Sequence, residues 1–240
     1  MNSLYIIIPA YNEADNINNI IEEWYPVVEA HRGTGDSRLV IIDDGSKDDT
    51  YEIAKKAVQD KPLAQVFTKE NGGHGSTIYY GYNYALEQNA DYIFQTDSDG
   101  QTLAGEFEDF WNAREEADAI IGSRIDRADG AGRRIVSLFV RLTLLATFHV
   151  KAEDVNTPYR LMNHNALQDA LKCIPDGYSL TNIALTGLLL KNHTVKFLPI
   201  TFRPRQAGTN SINIIKIAKL GFHAISELAA IDKMSPKERL

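Results

Sequence analysis

The segment YIFQTDSDGQ, residues 92–101, joins a short apolar run to two acidic residues and a glycine. Short runs of aromatic and β-branched residues bounded by turn residues are typical of buried strands. We therefore expect a strand that ends at the carboxylates of Asp97 and Asp99. Like charges this close repel each other, so their position at a strand end indicates a ligand-binding role.

The same pattern extends in both directions from this segment. Short apolar runs alternate with longer helical patterns, one of which covers residues 13–29, and this alternation predicts a parallel sheet flanked by helices. The fold class is therefore α/β. The predicted strands of this half are 4–9, 38–43, 64–68, 92–96 and 119–123.

After Ser123 the alternation gives way to a loop rich in glycine and arginine and then to a different order of elements. No repeat, low-complexity tract or long linker separates this part from the first. We expect one domain over residues 1–240, with halves at 1–125 and 126–240. The elements predicted in the second half are helices at 135–150, 163–173, 179–191 and 212–231 and strands at 158–163 and 194–199.

The composition is that of a globular protein, because 44% of the 240 residues are hydrophobic and 24% are charged. Cys173 is the only cysteine, which excludes an internal disulfide and a thiolate-rich metal site. The formal net charge of -7 argues against general attraction to nucleic acid. Neither a leader peptide nor an apolar run of about 20 residues is expected, so the sequence predicts a cytoplasmic protein.

In an open parallel sheet, ligands bind outside the carboxyl ends of the strands. Asp43 and Asp44 end the second predicted strand there. One interpretation is a turn in which Gly45 takes a positive φ and Ser46 or Asp48 caps the next helix. The other is a nucleotide site, in which the base and ribose donate hydrogen bonds to the paired acids.

The acids of the fourth strand indicate a cation site. Asp97 and Asp99, with Gln101 in reach, are hard oxygen ligands that suit Mg²⁺ or Mn²⁺ and leave positions for phosphate oxygens. A calcium loop beginning at Asp97 would place Glu108 at its twelfth position, but it needs glycine at its sixth, where Thr102 stands. The sequence therefore predicts a metal that neutralises a leaving diphosphate.

Taken together, the motifs resemble those of GT-A glycosyltransferases of family 2, and most closely the polyprenyl-phosphate sugar transferases related to dolichol-phosphate mannosyltransferase. The likeness covers nearly the whole chain. It implies a Rossmann-like GT-A sheet followed by acceptor-side helices. The matching segments are IIIPAYNE (6–13), VIIDDGSKDDT (40–50), NGGHGSTIYYGYNYA (71–85), TDSDGQ (96–101), IIGSR (120–124), RRIVS (133–137), PYRLMN (158–163) and RPRQAGTNS (203–211).

The resemblance also implies roles for individual residues. The first half is expected to bind the nucleotide sugar and the second half the acceptor. The nucleotide-binding residues are expected to be Pro9, Tyr11, Glu13, Asp44 and Asp97, and the metal ligands Asp97, Asp99 and Gln101. The catalytic residues are expected to be Asp99, Arg124 and Asp154, and the acceptor or phosphate contacts Arg133, Arg134, Arg160, Arg203, Arg205 and Ser211.

Two positions depart from the family pattern. His74 stands where relatives usually carry lysine or arginine, which changes a phosphate or sugar contact. Pro158 replaces a glycine in the acceptor segment and removes a backbone N–H donor. The identity of the acceptor is therefore less constrained than the identity of the reaction.

The acceptor decides what chemistry the site must supply. A sugar hydroxyl needs a base to remove its proton, and Asp154 is the best candidate. A lipid phosphate is already an anion and needs cations to hold it, and arginines concentrate in the second half. We predict an inverting, metal-dependent transfer from a nucleotide sugar to a polyprenyl phosphate, with a saccharide hydroxyl of a cell-surface polysaccharide as the alternative acceptor.

Two other functional classes remain to be compared with this prediction. A dehydrogenase would carry a glycine-rich fingerprint after the first strand, and the segment PAYNEADN (9–16) has no glycine. A non-catalytic carbohydrate-binding protein does not account for charged clusters at four strand ends. Helix 135–150 is apolar nearly all round, which favours core burial. The alternative places helices 135–150 and 212–231 on the inner face of the plasma membrane.

Overall fold

The computed structural model describes residues 2–33, 36–124, 131–204 and 225–234, and for residues 131–136 it describes the backbone. Arg205 and Ser211 lie outside the described residues, as does most of the predicted helix 212–231. Residues 225–234, which follow this gap, are helical.

The described residues form one sheet of seven strands in the order β3-β2-β1-β4-β6-β5-β7. Only β6 is antiparallel to its neighbours, and all other pairs are parallel. The predicted α/β class with a mostly parallel sheet is confirmed. The strands are β1 (Leu4–Ala10), β2 (Arg38–Asp43), β3 (Ala64–Thr68), β4 (Tyr92–Gln95), β5 (Ala119–Arg124), β6 (Arg160–Asn163) and β7 (Val195–Ile200).

The helices cover both faces of the sheet. A 3₁₀ turn at Ala104–Glu106 precedes α4. The first predicted helix begins four residues late, because the Glu13 carbonyl accepts from the backbone amides of Asn16 and Ile17 in a turn. The helices are α1 (Ile17–Ala30), α2 (Thr50–Ala57), α3 (His74–Glu87), α4 (Phe107–Asn112), α5 (Ala131–Phe148), α6 (His164–Leu171) and α7 (Thr181–Asn192).

Each face of the sheet has its own hydrophobic core. On the α1 and α4 side, an aromatic cluster centres on Phe94, whose ring lies 4.7 Å from that of Tyr159 and 4.9 Å from that of Phe107. On the other side, Tyr82 and Phe148 belong to a core shared by α3, α5, α6 and α7. Every residue of β1 is buried, as expected for a central strand covered on both faces.

Helix α5 is buried on one face only, so the prediction of core burial for residues 135–150 is wrong for its other face. Leu144 and Phe148 are buried, and Phe148 packs so closely on α7 that a Cβ at Gly187 would lie 2.5 Å from its ring. The opposite face leaves large side chains exposed. These are Leu138, Phe139, Leu142 and Leu145, with exposed fractions of 41–58%. No helix in the described ranges combines the length and the apolarity that crossing a bilayer requires.

The site is positioned by the point at which the strand order reverses. Strands β2 and β3 extend to one side of β1 and β4 lies on the other, so a crevice opens between the carboxyl ends of β1 and β4. The pairing of these two strands ends at Ile7 and Gln95. Pro9 has no N–H to donate. It lies beyond the pairing of β1 with β4, so no hydrogen bond between these two strands is lost.

Candidate active site

The loops that follow β1 and β2 are held together by hydrogen bonds. Asn12 has a φ of 54°, its backbone amide donates to the Ser46 hydroxyl at 2.9 Å, and its side-chain oxygen accepts from the Lys47 amide at 2.8 Å. The Glu13 amide donates to the Thr50 hydroxyl at 2.8 Å. The Tyr11 side chain, between these contacts, is 41% exposed at the edge of the crevice.

Gly45 confirms the turn interpretation of the segment DDGS. Its φ is 64°, which L residues rarely adopt, and a Cβ there would lie 3.0 Å from the Asn71 nitrogen and the Lys69 oxygen. The expected cap by Ser46 or Asp48 is wrong, because Asp49 is the N-cap residue of α2 and its side chain makes no capping hydrogen bond. The Asp48 carboxylate instead accepts from the Thr50 amide at 3.1 Å in the turn that precedes the helix. Glycine is therefore required at position 45 for both conformation and space.

The donors that offset Asp43 and Asp44 come from the protein itself. Asp43 accepts from the Thr68 hydroxyl at 2.7 Å. Buried Asp44 accepts from the Lys69 ammonium at 2.5 Å, from the Gly72 amide at 2.9 Å and from the Gly73 amide at 2.8 Å. These bonds relieve the repulsion between the two acids without a ligand, and they tie β2 to the segment that begins α3. The nucleotide contact predicted for Asp44 stays a prediction.

The ionised form of Asp44 is strongly favoured in this setting. Burial acts to raise the pKa of its carboxyl, but the hydrogen bonds from Lys69 and Gly72 outweigh burial and lower the pKa below its usual range. Asp44 is thus a fixed negative group that orders the loop of residues 69–73 beside the crevice.

The acidic loop, which we define as residues 97–101, is closed at its base. The hydroxyls of Thr96 and Thr102 hydrogen bond across it at 2.7 Å, and both residues are buried. Gly100 turns the chain with a φ of 70°, and the Gln101 amide donates to the Asp99 carboxylate at 3.1 Å. The loop therefore presents its two acids in a defined arrangement at the end of β4.

His74, the first residue of α3, contacts this loop. Its Nε2 lies 2.9 Å from Oδ1 of Asp97, and half of its side-chain surface is in contact with solvent. Loss of hydration in the cleft acts to lower the pKa of His74, but the charge and hydrogen bond of Asp97 outweigh it and raise the pKa. The departure from the family pattern therefore places a titratable partner, rather than a permanent cation, next to Asp97.

The acidic loop fits a cation that is shared with a ligand. Asp97 and Asp99 are both half-buried, so each is held in place and still reaches the cleft. Within the described part of the chain, no three His, Cys, Asp or Glu side chains are grouped to hold a metal. Two carboxylates and an amide suit Mg²⁺ or Mn²⁺ that takes its remaining ligands from water or phosphate oxygens.

Arg124 and Asp154 form a buried ion pair at the end of β5. The Arg124 Nε donates to one carboxylate oxygen at 2.7 Å and its Nη2 to the other at 2.9 Å. Asp154 is 2% exposed, and the guanidinium also lies 5.0 Å from the centre of the Phe202 ring. Both oxygens of the carboxylate considered above as a base are thus engaged by a cation.

Arg160 is placed differently from the acceptor contact that was predicted. Its side chain is fully buried at the start of β6, where it donates to the carbonyls of Thr157 and Asn182 and to the Thr186 hydroxyl. Burial is the main cause that lowers its pKa. In the described conformation the guanidinium is engaged within the protein, against the Thr157 carbonyl and against Asn182 and Thr186 of α7.

The other predicted acceptor arginines divide into two groups. Arg133 and Arg134 lie in the first turn of α5, where the backbone alone is described, and Arg205 and Ser211 lie outside the described residues. Arg203 is described, and its Nη2 donates to the Thr102 carbonyl at 3.0 Å. Its guanidinium is therefore turned toward the base of the acidic loop.

Sequence reasoning missed the role of the loop that follows β3. Lys69 and the amides of Gly72 and Gly73 supply the donors for Asp44. The signal was present, since the segment KENGG (69–73) comes directly after a predicted strand whose end lies at the same edge of the sheet. The pairing of Lys69 with Asp44 has a sequence separation of 25 residues, which no local pattern reveals.

Comparison with known proteins agrees with this geometry. Residues 5–177 match the family model described as Glycosyl transferase family 2. The chain belongs to this family. It is 24% identical over 224 residues to an undecaprenyl-phosphate 4-deoxy-4-formamido-L-arabinose transferase of Pseudomonas fluorescens, a match that covers 92% of this chain and 63% of that protein. A protein of the same description from Pseudomonas syringae is also 24% identical, with 92% and 64% covered. The chain thus spans less than two thirds of the length of these relatives.

A solved structure shares the fold of this family 2 chain. It is the glucosyl-3-phosphoglycerate synthase of Mycobacterium tuberculosis, crystallised with Mn²⁺, UDP and glucosyl-3-phosphoglycerate. The TM-score is 0.69 at 17% sequence identity, and the match covers 99% of this chain and 82% of that one. The predicted GT-A fold is therefore confirmed.

Replacement of Asp44 tests the loop anchor. We expect Asp44→Asn to lower the free energy of unfolding by about 2 kcal/mol at pH 7, because charge-assisted hydrogen bonds to a buried carboxylate are lost. A lowered pKa stabilises the fold above the carboxyl's unfolded pKa, and this stabilisation is lost as the pH falls through the folded pKa. The difference between variant and wild type should therefore shrink at pH 3, as measured by urea denaturation.

Asp60→Asn is the matched control, since the Asp60 side chain is 86% exposed. It should change the free energy of unfolding little at either pH. A difference for Asp44→Asn that is the same at pH 7 and at pH 3 would show that the ionised carboxylate is not what holds the loop.

Proposed function

We propose that this protein transfers a sugar from a nucleoside diphosphate sugar to a polyprenyl phosphate, with inversion at the anomeric carbon and with Mg²⁺ or Mn²⁺ as its cofactor. Membership of family 2 supports sugar transfer. The descriptions of the Pseudomonas relatives support an undecaprenyl-phosphate acceptor, and the Mn²⁺ and UDP in the mycobacterial neighbour support the donor and the metal.

The observation that carries the choice of acceptor is the Arg124–Asp154 ion pair. A hydroxyl acceptor needs a carboxylate base within reach of its proton. Both oxygens of Asp154 accept from Arg124, and the carboxylate is buried, so it is poorly placed to take a proton from an incoming sugar. An acceptor that arrives as a phosphate anion needs no base, and this favours the lipid phosphate over a saccharide hydroxyl.

The donor would bind in the crevice between β1 and β4. Pro9, Tyr11 and Glu13, at and just after the end of β1, would line it, with Tyr11 exposed and the other two buried. Asp44 orders the neighbouring loop. Asp97, Asp99 and Gln101 would hold the metal, which supplies positive charge that stabilises the diphosphate as it leaves. Arg124, at the end of β5, would approach the transferred group from the acceptor side.

We also propose that the protein acts at the inner face of the plasma membrane. The exposed face of α5 carries three leucines and a phenylalanine, with Arg141 exposed among them. A helix with an apolar face and basic residues is typical of attachment at a bilayer surface, where acyl chains receive the apolar side chains. This face follows directly from Arg133 and Arg134, so attachment would bring the acceptor half to a lipid phosphate.

Removal of the metal, or of one of its proposed ligands, tests whether cleavage of the nucleotide sugar depends on a cation. We expect chelation by EDTA and the substitution Asp99→Ala each to reduce nucleoside diphosphate release at least about 100-fold, because the leaving charge is no longer neutralised. Release is measured with a panel of nucleotide sugars and undecaprenyl phosphate. The exposed Asp60→Ala is the control, and wild-type turnover by Asp99→Ala would reject the metal assignment.

The choice of acceptor is tested with a matched pair of lipids. We expect sugar transfer to undecaprenyl phosphate at pH 7 and at least about 100-fold less to undecaprenol, because the alcohol must lose a proton and both oxygens of Asp154, the candidate base, are engaged by Arg124. Radiolabelled product is extracted into organic solvent and counted. Comparable transfer to the two lipids would contradict the phosphate acceptor.

Membrane attachment is tested by substitutions that introduce negative charge on the exposed face of α5. The double variant Leu138→Glu/Leu142→Glu should reduce cosedimentation with vesicles of phosphatidylglycerol and phosphatidylethanolamine at least about tenfold, since charge opposes insertion of this face. Met234→Glu, at another exposed apolar side chain, is the control. Equal cosedimentation of wild type and the double variant would contradict attachment through α5.

A further inference from the structure

The acidic loop makes a second set of contacts on the side away from α3. These contacts come from the segment that leaves β7. The Arg203 amide donates to the Gln101 carbonyl at 2.8 Å, and the Gln101 side-chain amide donates back to the Arg203 carbonyl at 2.9 Å. The two hydrogen bonds form a short ladder between positions that are 102 residues apart in sequence.

The Arg203 side chain extends this ladder to the base of the loop. Its Nη2 donates to the Thr102 carbonyl at 3.0 Å and lies 3.4 Å from a carboxylate oxygen of Glu23. The same Glu23 oxygen accepts from the Ala104 amide at 3.2 Å, so α1, the 3₁₀ turn that follows the acidic loop and the exit of β7 meet at one point. The Arg203 Nε is buried without a hydrogen-bond partner in the described structure.

These contacts connect Arg203 to a proposed metal ligand in two steps. The backbone N–H and C=O of Arg203 hold Gln101, and the Gln101 backbone amide donates to the Asp99 carboxylate at 3.1 Å. The Arg203 guanidinium fixes the same segment one residue further on, through the Thr102 carbonyl, and this is the contact that a substitution of the side chain removes. A hydrogen bond to one carboxylate oxygen restricts how the group can rotate, and outer contacts of this kind orient metal ligands. The guanidinium faces Thr102 and Glu23, which is not the arrangement of a group that grips an acceptor phosphate.

We propose that Arg203 is a positioning residue for the acidic loop, and that it sets the affinity of Asp97 and Asp99 for the divalent cation. This inference rests on the proposed function, because it needs a cation at the loop. It replaces the acceptor-phosphate role predicted for Arg203. It also makes the exit of β7, in the acceptor half, a structural support of the metal site in the donor half.

Direct binding of Mn²⁺ tests the proposal. Mn²⁺ is titrated into each protein with the nucleoside diphosphate, among UDP, GDP, ADP and CDP, that the wild type binds most tightly, and free Mn²⁺ is measured by electron paramagnetic resonance. We expect Arg203→Met to raise the Kd for Mn²⁺ about 10-fold or more, as for other supporting contacts of metal ligands. Arg203→Lys should also raise it, since one ammonium cannot reproduce the contacts of the guanidinium fork.

The control is Arg38→Met, which removes an arginine at the amino end of β2, on the opposite edge of the sheet. It should leave the Kd for Mn²⁺ unchanged. Circular dichroism verifies folding, and if Arg203→Met does not fold, Arg203→Lys carries the test. At saturating Mn²⁺, the KM for undecaprenyl phosphate should stay within about twofold of the wild type, because the acceptor site is not altered.

Each outcome separates this inference from the function on which it rests. If the wild type binds no Mn²⁺, or if Asp99→Ala binds it as tightly, the proposed metal-dependent function fails. If the wild type binds Mn²⁺ in an Asp99-dependent manner and both Arg203 variants bind it equally well, only the positioning role is overturned. A raised acceptor KM with an unchanged Kd for Mn²⁺ would likewise overturn it and restore the acceptor contact.

Discussion

Negative charge collected at one edge of the sheet is the constraint on which the rest of the site depends. Parallel strands bring their carboxyl ends to the same edge, and there they carry the carboxylates of Asp43, Asp44, Asp97 and Asp99. Like charges in a partly buried setting are costly unless each is paired or hydrogen bonded. The elements around the crevice can therefore be understood by asking which partner offsets each acid.

The groups that offset the acidic side chains differ from one strand end to the next. At the end of β2, an ammonium and backbone amides donate to Asp44, which thereby orders a loop. At the end of β5, a guanidinium engages both oxygens of Asp154. At the end of β4, a half-exposed imidazole contacts Asp97, and the Gln101 amide donates to Asp99, while both carboxylates stay half-buried. The acids that stay partly open are the ones proposed to do chemistry.

The sequence allowed much of the fold to be predicted, because buried strands and amphipathic helices leave strong local patterns. All seven strands were located to within two residues. The side-chain contacts of the site could not be predicted, because they join residues that are far apart in the sequence. The bonds between Lys69 and Asp44, between Arg203 and Gln101, and around Arg160 join distant segments, and side-chain direction decides whether an arginine faces a cleft or a core. The same applies to α5, whose exposed face is apolar and so resembles a buried one in sequence.

The antiparallel strand β6 lies between β4 and β5, so a strand from the second half of the chain is inserted between two strands of the first. Its backbone pairs with β4 from Tyr92 to Gln95 and with β5 from Ala119 to Ile121. The two halves predicted at 1–125 and 126–240 therefore do not form separate modules, because a chimera of two family members joined near residue 125 would need a foreign strand to complete the centre of its sheet. Recombination in this architecture has to preserve the fit on both sides of β6, so a change in the second half of the chain is constrained by the strand that ends at Asp97 and Asp99.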